Sequence, residues 1–593
     1  MTGLTTASTT APTTAPTAAP TTAPTTAAHF LDGLQECGIE HLFCNLGTDH
    51  VSLIEAMAAF ERQRRPQPNV LLCPHENVAV HMAAGFAAVT GRGQGVMVHV
   101  DAGTANVAMG LHNLFRSRLP VLLMAGRSPF TLRGELPGSR DNYIHFVQDP
   151  FDIGSLVRPF VKWEYSLPTG VTAKEVLRRA HTVMQSDPPG PVYLTLPRET
   201  LAETWESKRV ASFSGARYGP VAAGGIAPEK AAHIAERLMA AENPVVITSY
   251  LGRKPAAVPV LEALALACGL RVVEFMPTAL SISRDSPCFA GFDPAKVLPG
   301  ADLGLLLDVD VPWLPKFVTP DAGAAFIHID VDPLKQDFPM WGFPTDLRLQ
   351  ADCGTALAQV LTAVQARADD AWRAKLTERL ATLQAARLAR LRARDAAAAD
   401  AGTKGAISPA WLCAQLGKVL APQDIVVNEA IRNSPAVLGQ IMRTEAGTLI
   451  GCAGGGLGYS GGMALGARLA RPGVRVLQVV GDGGFHFSTP TSVYAVAQRY
   501  GLPIFTVVLD NGGWQAVKEA VLRVHPGGEA EQAQQFQARL GGEHRHFEQV
   551  AAAFGAHGEA VTDPAEVPAA IARCLAAIDR GQAAVLNVSV APL

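Results

Sequence analysis

The sequence has no excess of either charge. Its 593 residues carry a formal net charge of −3, and only 17% of them are charged. A sparse, balanced charge offers no electrostatic footprint for nucleic acid. Long apolar runs are absent too. Stretches such as Val121–Gly126 are short and read as buried strands, not membrane spans. The nine cysteines (Cys37, Cys44, Cys73, Cys268, Cys288, Cys353, Cys413, Cys452 and Cys574) form no CxxC pair. They read as reduced core residues rather than disulfides or metal ligands, which points to a cytoplasmic protein. Residues 1–27 are almost all Thr, Ala and Pro, without the basic start and apolar core of a secretory signal. So little apolar surface predicts a disordered tail.

What is present is apolar bulk and many turns. Hydrophobic residues make up 48% of the chain, with 55 glycines and 42 prolines. The length exceeds one ordinary core and predicts several domains. Between residues 28 and 200, apolar segments (HLFCNLG, VLLCP, GVMVHV, PVLLMAGR, GPVYLTLP) alternate with helical patterns. That alternation predicts a mostly parallel sheet with helices on both faces. A loose linker at 201–225 precedes a second α/β unit at 226–370, with NPVVITSY, LRVVEF, LGLLLDVD and AAFIHID as strands. A polar helical connector at 371–404 leads to a third unit at 405–593, with DIVVNEA, VRVLQVVGDGG, IFTVVLDNGG and AAVLNVSV as strands. The fold class is therefore α/β, with three successive open, mostly parallel domains. Ligands in such domains sit beyond the carboxyl ends of the strands.

The strongest motif lies in the third unit. Asp482 follows an apolar strand between Gly481 and Gly483, and Gly484 continues the loop. Small residues let the backbone approach a bulky anion. Asn511 ends the next apolar strand. A carboxylate, an amide oxygen and the Gly513 carbonyl form a hard-oxygen set suited to Mg²⁺ beside phosphate oxygens. The Gly-rich GCAGGGLGYSGG upstream lacks the acidic partner of a dinucleotide fingerprint.

The GDG loop, the strand-terminal Asn511 and the segment CPHENVAVHMAAGFA resemble the thiamine-diphosphate enzymes that include acetohydroxyacid synthase, pyruvate oxidase and benzoylformate decarboxylase. The resemblance covers nearly the whole chain after the tail. The departures are Asp510 in place of the first Asn of the family's pair and a slightly longer spacing. The resemblance implies pyrimidine-binding, central and diphosphate-binding domains in that order. It implies thiamine diphosphate and Mg²⁺ as cofactors and a homodimer or homotetramer with active sites between subunits. Glu76 matches the glutamate that contacts the pyrimidine ring. Gly455 and Leu457 match the stretch that cradles and props that ring. Asn428 and Glu429 open a loop near the diphosphate. The implied activity is that of a lyase or transferase on 2-oxoacids.

Within the family, HVDAGTANVAMG and NLGTDH resemble benzoylformate decarboxylase most. They put His99 and Thr48 where that enzyme carries an active-site histidine and a substrate-contacting serine. Decarboxylation or carboligation through an enamine is the implied reaction. The decarboxylase's second histidine is missing, because Asp285 and Ser286 occupy that stretch. His50, Asp101 and His486 are further polar candidates, His486 because it follows the metal loop. An acetolactate-synthase-type condensation, a 2-hydroxyacyl-CoA lyase and a non-catalytic assembly subunit are the alternatives. Arg127, Arg133 and Arg140 are candidates for an anionic substrate or solvated surface. Trp313 and Pro315 suit either a cofactor tail or packing. For FAD in the middle domain the sequence provides no fingerprint and no exclusion.

Overall fold

The computed structural model describes residues 23–213, 215–541 and 545–592. Most of the expected tail, residues 1–22, lies outside the described residues. Its last residues are structured: Thr25 caps helix Thr26–Glu36 by accepting the Ala28 N–H, and Thr26, Ala27 and Phe30 are buried. A small apolar helix face and a side-chain cap suffice to order them.

Three six-stranded parallel sheets form the frame, flanked by helices. The first runs from edge to edge through Asn69–Leu72, His41–Cys44, Gln94–Val98, Val121–Arg127, Val192–Pro197 and Glu164–Ser166. The third runs through Leu449–Ile450, Ile425–Glu429, Val476–Gly481, Phe505–Asp510, Ala584–Ser589 and His557–Val561. Counted in chain order within each sheet, both read 2-1-3-4-6-5. The central sheet runs through Leu347–Gln350, Ala325–Asp330, Leu303–Leu307, Val245–Thr248, Arg271–Glu274 and Phe289–Gly291. Its order is 6-5-4-1-2-3, that of a dinucleotide-binding sheet.

The apolar cores divide differently from the sheets. One cluster runs from Phe43, Val80 and Met82 into Met463, Leu465 and Tyr494, so the first and third domains share a core. The link is helix Glu76–Thr90, buried on every face over its first three turns, packed against helix Ser460–Ala470. A Cβ on Gly85 would overlap the Met463 carbonyl, and one on Gly466 would overlap that of Met82. The glycines set the closeness of the pair. The central domain has its own clusters, around Ile234, Leu261, Leu305 and Leu357 and around Trp313 and Phe326. Trp313 packs here against Phe326 and Phe343, each 5.1 Å away between ring centroids. Helix Asp370–Ala397 is mostly exposed and buries only Trp372 and Leu383. All nine cysteines are free, and seven are buried. No described helix is long and apolar enough to cross a membrane.

Candidate active site

In the third domain, the carboxyl ends of adjacent parallel strands bring the GDG loop to residues 510–513. Asp482 Oδ1 accepts the Gly483 N–H at 2.8 Å, and Oδ2 accepts the Gly512 N–H at 3.0 Å. Gly512 and Gly513 adopt φ +90° and +146°, and a Cβ on Gly513 would overlap the Ala538 carbonyl. Only glycine fits that turn, which carries Asn511 past the strand end. Burial pushes the Asp482 carboxyl up to about 7, and the charge of Asp510 adds to it. Asp510 is itself paired with Arg545. Two carboxylates crowded around an oxygen-rich loop suit a divalent cation, which relieves their repulsion. A Cβ added at Gly481 or Gly455 would touch nothing within 4 Å, so space is open beside both loops. These residues fit a metal-held diphosphate.

Glu429 and Asn428 sit at the end of strand Ile425–Glu429, but the Glu429 side chain turns inward. Its oxygens accept the Gly458 N–H (2.5 Å), the Ser460 N–H (2.9 Å) and the Ser460 hydroxyl (2.5 Å). It thus satisfies the open donors at the start of helix Ser460–Ala470. Burial pushes its carboxyl up to about 7 against those three donors. Asn428 accepts the Ala430 N–H and bonds Ser434. The Glu429 carboxylate is thereby engaged within its own domain. Gly483 packs under Trp514, and Gly484 lies against Val480 and Glu429. His486 is exposed on helix Asp482–Phe487, with its ring edge-on to Phe547 at 5.1 Å.

The Gly-rich loop is gripped from the first domain. Asn113 bonds both the N–H and the carbonyl of Gly456 at 3.0 Å, and His112 accepts the Gly455 N–H. Leu457 is half-buried between them and Gly458. Asn77 Nδ2 donates to the Gly458 carbonyl at 3.0 Å. Its neighbour Glu76 opens the same helix and is 8% exposed. Glu76 Oε2 accepts the Asn106 amide at 3.0 Å, and Oε1 takes no hydrogen bond from a described residue.

A second cluster lies at the carboxyl edge of the first sheet. Thr48 and His50 flank Asp49, whose carboxylate is 2% exposed. His99 Nδ1 lies 2.5 Å from Asp49 Oδ1, and Nε2 lies 3.1 Å from Gln148 Oε1. The Thr48 hydroxyl faces His145 Nε2 at 3.4 Å. The bond to Asp49 raises the His99 pKa against burial, with Gln148 and Asp101 adding to it. Burial works to raise the Asp49 carboxyl, yet the flanking imidazoles hold it well below the usual carboxylate range. Asp101 caps the Ala102 N–H. Arg140 is tied to Asp149 and the Pro129 carbonyl, while Arg133 stays exposed. Asp285 pairs with Arg387 on the connector helix, and Ser286 is buried. Sequence reasoning missed Asp49, His145 and Gln148. The strand-end position of Asp49 beside Thr48 was the only available signal.

Two family models match the chain. The N-terminal TPP binding domain of thiamine pyrophosphate enzymes matches residues 24–156, and the C-terminal TPP binding domain matches residues 436–588. The chain thus carries both cofactor-binding domains of the thiamine pyrophosphate enzymes. Among its relatives in that family is benzoylformate decarboxylase of Pseudomonas aeruginosa, 28% identical over 82% of this chain and 85% of the relative. Acetolactate synthase of Bacillus subtilis is 24% identical over 82% and 81%. The solved structure of a thiamine diphosphate-dependent 4-hydroxybenzoylformate decarboxylase from Rhodococcus jostii RHA1 superposes with a TM-score of 0.76. It is 21% identical and covers 96% of this chain and 99% of its own. This thiamine-diphosphate enzyme is thus a carbon–carbon lyase or transferase whose sequence relatives include both decarboxylases and synthases.

Proposed function

We propose that the enzyme carries out non-oxidative decarboxylation of a 2-oxoacid, with carboligation as a companion activity. The observation that carries this reading is His99, held between Asp49 and Gln148 at the carboxyl edge of the first sheet. Loss of CO₂ from a 2-oxoacid without oxidation consumes one proton per turnover, and a charged histidine at the site can deliver it. Thiamine diphosphate supplies the electron sink for the carbonyl carbon. Asp482, Asn511 and the Gly513 carbonyl would hold Mg²⁺ and, through it, the diphosphate. Gly481, Gly483 and Gly484 would admit the diphosphate to the backbone. Gly455 and Leu457 would lie against the pyrimidine, and Glu76 would hold a proton at the ring nitrogen. Thr48 would hydrogen-bond the substrate carboxylate. Glu429 would act through the helix start that it caps.

The relatives named for benzoylformate and 4-hydroxybenzoylformate decarboxylation favour an aryl 2-oxoacid. Incubation of the Mg²⁺- and cofactor-loaded enzyme with benzoylformate, analysed by mass spectrometry, should yield an aldehyde and CO₂. Acetolactate from pyruvate, with no aldehyde from either acid, would replace this reading with the synthase one. That second reading is favoured by Asp285 and Ser286, which leave no second histidine in their stretch.

A homodimer or homotetramer with sites between subunits fits the exposed apolar surface. Phe130, Tyr143, Phe146 and Phe151 stand out from the first domain, and Ile431, Phe487, Trp514 and Val524 from the third. Large exposed apolar patches mark association surfaces. Light scattering should give at least twice the 62.5 kDa chain mass. A monomer at working concentration would sink this part.

A further inference from the structure

We infer that Asp49 is a positioning residue that holds His99 as an aimed, doubly protonated proton donor at the carboxyl edge of the first sheet. The use of that proton rests on the decarboxylase reading; the state of the ring does not.

The ring has an acceptor at each end, Asp49 Oδ1 at Nδ1 and Gln148 Oε1 at Nε2. An imidazole facing acceptors at both nitrogens carries N–H at both. Gln148 is pinned in turn, because the Ser128 hydroxyl donates to its backbone carbonyl. An amide suits this place in both states of the ring, because it accepts from an N–H and, turned over, donates to a bare nitrogen.

Asp49 is reserved for this task by its surroundings. His50 Nδ1 lies 3.2 Å from the same carboxylate oxygen, but it accepts the Gly47 N–H at 3.0 Å. The second Asp49 oxygen accepts the Val100 N–H at 3.3 Å. Val100 is β-branched and has φ +29°, a backbone state that such residues avoid. Strain of this kind persists where the surroundings impose it, and it falls on the residue after His99. Close packing closes the frame. A Cβ on Gly126 would overlap the Asp49 carboxylate, and one on Gly47 would overlap the His99 ring.

The groups that face the pair are few. Asp49 and Asp101 favour the charged ring. His50 sits across Asp49, and His145 sees Asp49 from beyond Thr48 while facing Asp141, Arg140 and Arg198. In the reaction, the C–CO₂ bond of the 2-oxoacid is replaced by C–H. The Nε2 proton of His99 moves to the substrate-derived carbon, Gln148 is released, and the neutral ring keeps its Nδ1–H on Asp49. Solvent then returns one proton to Nε2, so each turnover takes up one proton and releases one CO₂.

The test is histidine C2 hydrogen–deuterium exchange of the holoenzyme, read peptide by peptide by mass spectrometry across pH. It compares wild type with Asp49→Asn, which preserves side-chain volume. The His99 midpoint should lie above about 6.5 in the wild type. It should fall by one pH unit or more in Asp49→Asn, with His233 and His525 unmoved as controls. A wild-type midpoint at or below the ordinary histidine value, or one unmoved by Asp49→Asn, would overturn the proposal. This readout needs no turnover, so an enzyme inactive on 2-oxoacids defeats only the decarboxylase reading. Where turnover is found, the alkaline limb of the kcat profile should move down by a similar amount in Asp49→Asn. The same substitution should add no further shift to His99→Gln, and an additive shift would likewise count against the coupling.

Discussion

The first and third domains are built on the same strand order and share one core, yet their carboxyl edges carry opposite chemistry. The first presents Asp49, Glu76 and His99, groups able to hold or move protons. The third presents glycines, Asp482 and Asn511, groups suited to admit a bulky anion and to ligate the cation that would neutralise it. One topology therefore fixes where a ligand can lie, and the residues at the strand ends decide what each half does to it. The central domain sharpens the contrast. It has the dinucleotide strand order, and charged side chains line the crevice where that order reverses. Arg118 reaches in from the first domain to Asp310, and Lys335 bonds Asp310, Asp330 and Tyr250. Strand order alone is a poor guide to cofactor there.

The division between the halves can be broken one residue at a time. The largest effect is expected from Glu76→Gln, which should lower turnover by roughly 10²–10⁴-fold. Cofactor and Mg²⁺ retention after desalting should stay intact, because the change leaves the third domain untouched. Loss of retention would merge the two roles. Asp482→Ala should do the reverse, abolishing Mg²⁺-dependent cofactor retention while leaving the exchange midpoint of His99 in place. Equilibrium dialysis and the exchange profile read the two halves separately.

A smaller effect should follow pH through the Asp49–His99 pair. The folded pKa of His99 is raised, so its stabilisation is full below the unfolded value near 6.5 and fades as pH rises through the folded value. The folded pKa of Asp49 is depressed, so its contribution is full above about 3.9 and fades as pH falls through the folded value. Asp49→Asn should therefore cost roughly 1–3 kcal/mol near pH 5.5 and less at pH 9, measured by urea unfolding. A cost that does not change with pH would reduce the pair to packing. The smallest effect is expected from Ser460→Ala, which removes one of three donors to Glu429. It should cost about 1 kcal/mol with turnover preserved, and a large loss of turnover would give Glu429 a direct role at the diphosphate.

The interior strands were legible because a strand buried on both faces is continuously apolar, as in VLLMAGR and VLQVVG. The edge strands were not. Glu164–Ser166, Phe289–Gly291, Leu347–Gln350, Leu449–Ile450 and His557–Val561 are short or partly exposed, and their apolar signal is weak. The GDG loop was legible because its residues are local and its glycines are demanded by a turn. The inward turn of Glu429 was not legible, since nothing in NEAIRN reveals that its oxygens meet the start of a helix 29 to 31 residues later.

The chain's own order of apolar strands and glycine turns was enough to predict three parallel α/β domains, and the resemblance of its motifs to a known family implied a thiamine-diphosphate chemistry. Periodicity and turn geometry act over a few residues, and a sequence displays them directly. Only the tertiary structure decided that His99 answers to Asp49, fifty residues away, and that Gln148 closes its other side. Hydrogen bonds have a reach of about 3 Å in space and none along the chain, so their partners appear only once the sheet has aligned its strand ends.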